Sequence, residues 1–194
     1  MEQKLIDLIR ENRSYRGFDE TRKITREELL QMVEGARLSA SSVNRQPLKY
    51  VLIYEPEKVA QFQPLTRWAR NLPQLKLPHP GKCPTAFIVI CQDKRIDENL
   101  NRYQRDIGIA AQSMLLLAVE MGLGGCMIGN FTAGDVHAQL KLPEEIVPML
   151  IVAVGKPDEK IVLTEVEKDG NTAYYRDEED THYVPKRKLE DLIL

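Results

Sequence analysis

Two arginines and a hydroxyl fall within four residues at Arg13-Ser14-Tyr15-Arg16. Two planar guanidinium forks on either side of a small hydroxyl suit a phosphate or another planar anion. Alone, the cluster is more simply explained by arginines that are solvated or paired with acids. A second stretch, Ser41-Ser42-Val43-Asn44-Arg45-Gln46-Pro47, offers short hydroxyl and amide side chains that can touch a flat ligand. The same residues also make an ordinary helix-to-strand loop. A third, Gly122-Leu123-Gly124-Gly125 through Gly129-Asn130, invites a dinucleotide fingerprint but fails it. Met127 stands where the third glycine belongs, and the run follows a helical pattern instead of a strand. The glycines are better suited to stopping a helix and freeing the backbone for a close approach. A basic pair, Lys186-Arg187, lies near the end.

Other chemistries find little support. His79, His137 and His182 are far apart, and Cys83, Cys91 and Cys126 have neither metal nor redox spacing, so no metal site is expected. Reduced thiols in a cytoplasmic protein are the simplest reading of an odd cysteine count. No nucleophile–base triad or catalytic carboxylate pair stands out.

The elements that must position these groups are legible from periodicity. Leu5, Ile6, Leu8 and Ile9 predict a helix over residues 2–11. Thr25 and Glu28 form a capping box, with Ile24 and Leu29 as its staple, ahead of an apolar face of Leu29, Met32, Val33 and Ala36. Buried strands are predicted at 49–55, 85–91 and 149–154. A helix is predicted over 57–72 with Trp68, the only tryptophan, either in the core or as a pocket wall. The proline-rich stretch 72–84 reads as a lid or binding loop. The longest helix is expected from 98 to 121, with Gly108 and its alanines open to close approach by another helix. A strand at 161–167, a turn at Gly170-Asn171 and a solvated acidic run at 177–180 complete the tail.

With 194 residues, 43% apolar and 29% charged, the chain is expected to form one domain, residues 1–194. A net charge of −2 implies no bulk attraction to nucleic acid. The apolar runs fall short of a membrane span, and the start does not read as a signal peptide.

Four of these segments, in this order, resemble the nitroreductase family of FMN-dependent, NAD(P)H-using oxidoreductases: Arg13-Ser14-Tyr15-Arg16; Ser41 through Pro47; Asp106-Ile107-Gly108 through Gly122-Leu123-Gly124 and on to Ile128-Gly129-Asn130-Phe131; and Val154-Gly155-Lys156-Pro157 with the basic pair near the end. The resemblance implies an α+β three-layer sandwich, with a mixed, mostly antiparallel sheet flanked by helices. It further implies an intertwined homodimer with FMN at the interface and the tail, about 158–194, extending over the partner. Carried over by position, Arg13, Ser14 and Arg16 would meet the phosphate, ribityl chain and N1–C2 edge of FMN. Ser41, Ser42 and Asn44 would contact the ring system from the other subunit, Gly129 and Asn130 would face N5 and O4, and Arg187, with Lys186, would close on the phosphate. Trp68 would shape the substrate pocket. Asn12, where many members carry arginine, shifts weight onto the tail.

The implied activity is ping-pong hydride transfer from NAD(P)H through flavin N5 to flat, electron-poor acceptors such as nitroaromatics and quinones. FMN would carry the chemistry, tuned by Arg16, with no protein acid, base or nucleophile. The alternatives are specialised flavin chemistry on the same fold (flavin breakdown, dehalogenation, azoline oxidation) or a flavin-binding dimer with little turnover.

Overall fold

The computed structural model describes residues 4–168 and 170–194. Its centre is β5 (Ile146–Pro157), the longest strand, because everything else in the main sheet is ordered around it. On one side β5 pairs antiparallel with β3 (Ala86–Asp93), which pairs antiparallel with β2 (Leu48–Ile53). On its other side β4 (Gly124–Ile128) and the short β1 (Phe18–Asp19) follow one another along the same edge, both antiparallel. Pro148 falls where the β3–β5 register shifts between Ile90 and Cys91. A proline cannot donate to the ladder, so a bulge is where one is tolerated.

Side chains alternate across a strand, and β3 is buried at every position, so it supplies two cores at once. Ala86, Ile88 and Ile90, with Val152 and Val154, pack under α2 (Arg26–Leu38) and α4 (Gln104–Glu120). Phe87, Val89 and Cys91, with Ile151 and Ala153, pack under α3 (Pro56–Phe62) and α5 (Ala133–Leu140). The result is the helix–sheet–helix sandwich expected from the sequence. The parallel strand pair lies outside the main sheet, between β6 (Ile161–Val166) and β8 (His182–Arg187) in the tail, while a single parallel bridge joins Ser14 to Gly125 of β4. There β7 (Tyr175–Arg176) closes the other edge of β8.

Local expectations fare differently. The capping box is formed, with the Glu28 N–H on Thr25 Oγ1 and the Thr25 N–H on the Glu28 carboxylate, and Ile24 and Leu29 are both buried beside it. The first helix, α1, is Leu5–Glu11, and the first two positions of the predicted 2–11 span lie outside the described residues. The helix predicted over 57–72 stops at Phe62, followed by one 3₁₀ turn, Gln63–Leu65. Pro64 has no N–H and bars helix before it. The helix predicted from 98 starts at Gln104, because Asp97 draws the preceding segment into turns by accepting from the Asn99 N–H and the Tyr103 hydroxyl. The strand predicted over 49–55 is only half-buried, since β2 is the outer strand of the sheet.

The glycine-rich run proves to be a helix stop followed by a strand. Gly122 takes φ +69° and ends α4, and β4 begins two residues later. At Gly125 a Cβ would lie 2.3 Å from the Ala153 carbonyl oxygen and 2.7 Å from Leu115 Cδ2. Its absence lets β4 sit between β5 and the opening segment, where the Tyr15 N–H donates to the Gly125 carbonyl at 3.0 Å and Ser14 bridges Gly125.

The tail folds back onto that same segment. Glu159 accepts from the Arg16 backbone N–H with one carboxylate oxygen and from the Arg176 guanidinium with the other. Both side chains of the Arg176–Glu159 pair are 4% exposed. Removing Glu159 would leave the buried Arg176 guanidinium with only the half-exposed Asp180 carboxylate, 2.9 Å away, as a counter-charge. Glu159→Ala should therefore cost about 3–5 kcal/mol of stability, measured by urea unfolding. A loss under about 1 kcal/mol, the range of a surface pair, would refute this role.

Candidate functional site

The opening segment, α4, β4 and the tail enclose a cavity of about 350 Å³, lined by Asn12, Arg13, Ser14, Arg16, Gln112, Leu115, Met127, Tyr174, His182, Val184 and Lys186. Arg13, Ser14, Arg16 and Lys186 are thus brought together. Each arrives by a different route. Arg13 sits just past the end of α1, with Nη2 donating to the Ile9 carbonyl at 2.8 Å. Its Nε is buried and has no partner among the described residues. Burial pulls the Arg13 pKa below its ordinary value. Ser14 and Arg16 are set by the docking of their backbone on β4 and Glu159.

Lys186 is delivered by strand alternation. On β8, His182, Val184 and Lys186 share one face and line the cavity. Arg187 therefore points away from it, and its Nη1 donates to the Lys168 carbonyl. Of the basic pair, Lys186 is the cavity residue.

Arg16 is 8% exposed, yet among the described residues its guanidinium meets no carboxylate. Its side-chain contacts are neutral. Nη1 donates to the Ser14 carbonyl at 3.3 Å and to His182 Nε2 at 3.4 Å, and the group lies 4.7 Å from the centre of the Tyr174 ring. Burying a cation without a counter-charge is costly, so the arrangement suits an anion supplied from outside the chain. Arg13 and Lys186 reinforce that demand. Asn12 adds a neutral element, its Nδ2 donating to Gln112 Oε1 at 3.3 Å. His182 is held uncharged, with a pKa lowered to about 4 by burial first and then by Arg16 and Arg176. Behind the wall, burial raises the Cys126 thiol to about 11, so it is not a nucleophile.

The remaining sequence-derived residues lie elsewhere. Ser41 Oγ donates to Asp106 Oδ2 at 2.7 Å, and the Ser42 N–H donates to the same oxygen at 2.9 Å. Ser41 and Asp106 line a second cavity, about 320 Å³, with Gln46, Tyr50 and Ala110. Within this loop Val43, Asn44 and Gln46 all have positive φ, and Val43 is 88% exposed. A β-branched residue in the left-handed region is strained, which marks the loop as more than a connection. Gly129 and Asn130 are exposed beyond β4, and the Asn130 carbonyl accepts from the Arg67 N–H at 3.1 Å. Trp68 is not in the wall of the first cavity. Its Nε1 donates to Thr66 Oγ1 at 2.8 Å, and its ring meets Phe18 edge-on at 6.5 Å.

Sequence reasoning missed Gln112, Met127, Tyr174 and His182. His182 could have been reached by stepping back in twos from Lys186 along a strand. Gln112 and its neighbour Ser113 are the polar residues within the apolar stretch Ile107–Val119 of α4. Tyr174 carries no local signal.

The profile of the nitroreductase family matches residues 9–156 of this chain. YdgI of Bacillus subtilis is 35% identical over 182 residues, covering 78% of this chain and 87% of that protein. The FMN reductase (NADPH) of the same organism is 29% identical over 173 residues, covering 78% of this chain and 65% of that protein. Among solved structures, an FMN-dependent nitroreductase from Clostridium difficile R20291 superposes with a TM-score of 0.64 at 22% identity, over 80% of this chain and 88% of that one, a likeness of fold. The profile's span takes in Arg13–Arg16, the 41–47 loop, α4 and Gly129–Asn130, and ends before the tail that brings Tyr174, His182 and Lys186 to the cavity. On the profile match and the identity to YdgI, the chain belongs to the nitroreductase family.

Proposed function

We propose that the chain is an FMN-dependent oxidoreductase that passes electrons from NAD(P)H to flat, electron-poor acceptors such as nitroaromatics and quinones. The observation that carries this reading is the buried, uncompensated Arg16 guanidinium in a cavity that also presents Arg13 and Lys186. Three cationic groups, the Ser14 hydroxyl and the unpartnered Arg13 Nε fit a phosphate-bearing, hydroxyl-rich cofactor. The names of the relatives, an FMN reductase and an FMN-dependent nitroreductase, support the same cofactor.

FMN, when bound, supplies two-electron exchange between a reduced nicotinamide and an acceptor. The chain's own work is binding and orientation. Arg13, Ser14 and Lys186 are suited to hold the phosphate and ribityl end. Arg16 places fixed positive charge beside the cofactor, in a setting from which burial removes competing water. No side chain needs to act as acid, base or nucleophile.

The site is completed by a second copy of the chain in this reading. Ser41 lines the other cavity, with Ser42 and Asn44 in the same loop, and α4 lines both cavities, through Asp106 and Ala110 on one and Gln112 and Leu115 on the other. On α4, Gly108 and Ile109 are exposed, and α1 buries none of its residues, leaving Leu5, Ile6 and Ile9 exposed as well. Leu189, Leu192 and Ile193 at the end of the tail are also exposed, at 72%, 61% and 70%. An apolar surface of this kind is suited to a homodimer interface over which the tail extends. Gly129 and Asn130 would then approach the ring.

The purified protein should quench FMN fluorescence, and bound flavin should bleach on anaerobic addition of NADH or NADPH. A protein that neither carries nor takes up FMN would overturn the reading. Lys186→Ala should weaken FMN by about tenfold or more, the effect of a lost charge-assisted contact, and weaken riboflavin much less. Arg187→Ala should change FMN affinity little. Equal losses for both variants would place the phosphate elsewhere. Ile109→Lys should leave the circular dichroism unchanged and convert a dimer to a monomer in light scattering. A monomeric wild type, or an unaffected dimer, would remove α4 from the interface.

A further inference from the structure

We propose that His182 is the positioning residue for Arg16: as a neutral imidazole accepting through Nε2, it aims the guanidinium at the cavity without cancelling its charge. The role of Arg16 toward bound FMN rests on the function proposed above; the His182–Arg16 contact does not.

The chemistry of the pair leaves one arrangement. A guanidinium has only donors, so the 3.4 Å contact between Arg16 Nη1 and His182 Nε2 requires an unprotonated Nε2. The proton of the neutral ring must then be on Nδ1. That atom is buried and finds no partner among the described residues. The ring is 1% exposed and sits edge-on to Tyr174, with centroids 5.4 Å apart. Tyr174 in turn stacks against the Arg16 guanidinium, and its hydroxyl accepts from the Asn71 N–H at 3.4 Å. Two tail residues thus hold one guanidinium, one from the side and one from its face.

A purely structural role does not explain this choice. An apolar residue would fill the same space and leave no orphaned Nδ1–H. A carboxylate would hold Arg16 more tightly but would neutralise it, and the cavity would lose its central cation. A protonated imidazole would repel it. The charged groups around the ring favour the neutral form: Arg16 and Arg176 act against protonation, and the weaker influence of Asp180 acts for it. The neutral acceptor is the solution that both orients the cation and keeps it available.

The test has a part that needs no flavin. In ¹⁵N-labelled protein, the His182 ring should appear uncharged and protonated on Nδ1 down to about pH 5, in keeping with a pKa of about 4. Arg16→Ala should abolish that preference. An imidazolium at neutral pH, the opposite tautomer, or a signal indifferent to Arg16→Ala would overturn the proposal, whether or not flavin binds. In the full-length protein, His182→Leu should weaken FMN by about tenfold or more, while His182→Gln, which returns an acceptor near Nε2, should stay within about threefold of wild type. In an Arg16→Ala background, His182→Leu should cost nothing further, because the residue acts through Arg16. Equal losses for the Leu and Gln variants, or losses that multiply with Arg16→Ala, would reduce His182 to packing. A wild type that does not bind FMN would sink the flavin reading, and the tautomer would still decide the contact.

Discussion

The structure turns on one carboxylate. Glu159, buried just beyond the end of β5, takes the Arg16 backbone N–H on one oxygen and the Arg176 guanidinium on the other. It thereby ties three distant parts of the chain at one point: the opening segment, the exit from the central strand, and the tail. A buried pair of this kind is weak as a source of net stability but strict about geometry, since a buried charge must keep its partners, here Glu159 and Asp180 for Arg176. Its consequence is positional. With Arg16 pinned through its backbone and Arg176 pinned through its side chain, Tyr174 and His182 on either side of Arg176 are brought against the Arg16 guanidinium.

The division of labour at Arg16 follows. Its backbone is held by a charge, and its side chain by neutral groups. Had Glu159 met the guanidinium instead, the cavity would hold an internal ion pair and little attraction for an anion. The electrostatic character of the site therefore depends on which atoms of Arg16 the Glu159 carboxylate reaches. The missing side chain at Gly125 contributes from the other side, because only a bare backbone lets Ser14 and Tyr15 dock on β4 while Leu115 and Ala153 press from behind.

Much of the scaffold was legible beforehand. The capping box of α2 is a local device, complete within four residues, and it formed as read. The apolar runs of β3 and β5 identified the buried strands, and the family motifs identified the layered fold. Failures occurred where long-range packing overrides local pattern. The segment Gly124–Ile128 became a strand because β5 offered it a free edge, which glycines do not advertise. The helices read over 57–72 and from 98 began or ended where Pro64 and Asp97 intervened.

Within the site, residue type and sequence order by themselves determined that Arg13, Ser14 and Arg16 stand together, because four consecutive residues cannot be far apart. They also determined that a basic group returns near the end of the chain. Only the tertiary structure decided which one. Lys186 and Arg187 differ by one position, and on a strand one position is the other face, so the register of β8 against β6 chose Lys186. The same alternation placed His182 in the cavity, and the antiparallel turn from β7 into β8 placed Tyr174 beside it. Types and spacings are written in the chain; which face they turn to is set by which strands pair and in what register.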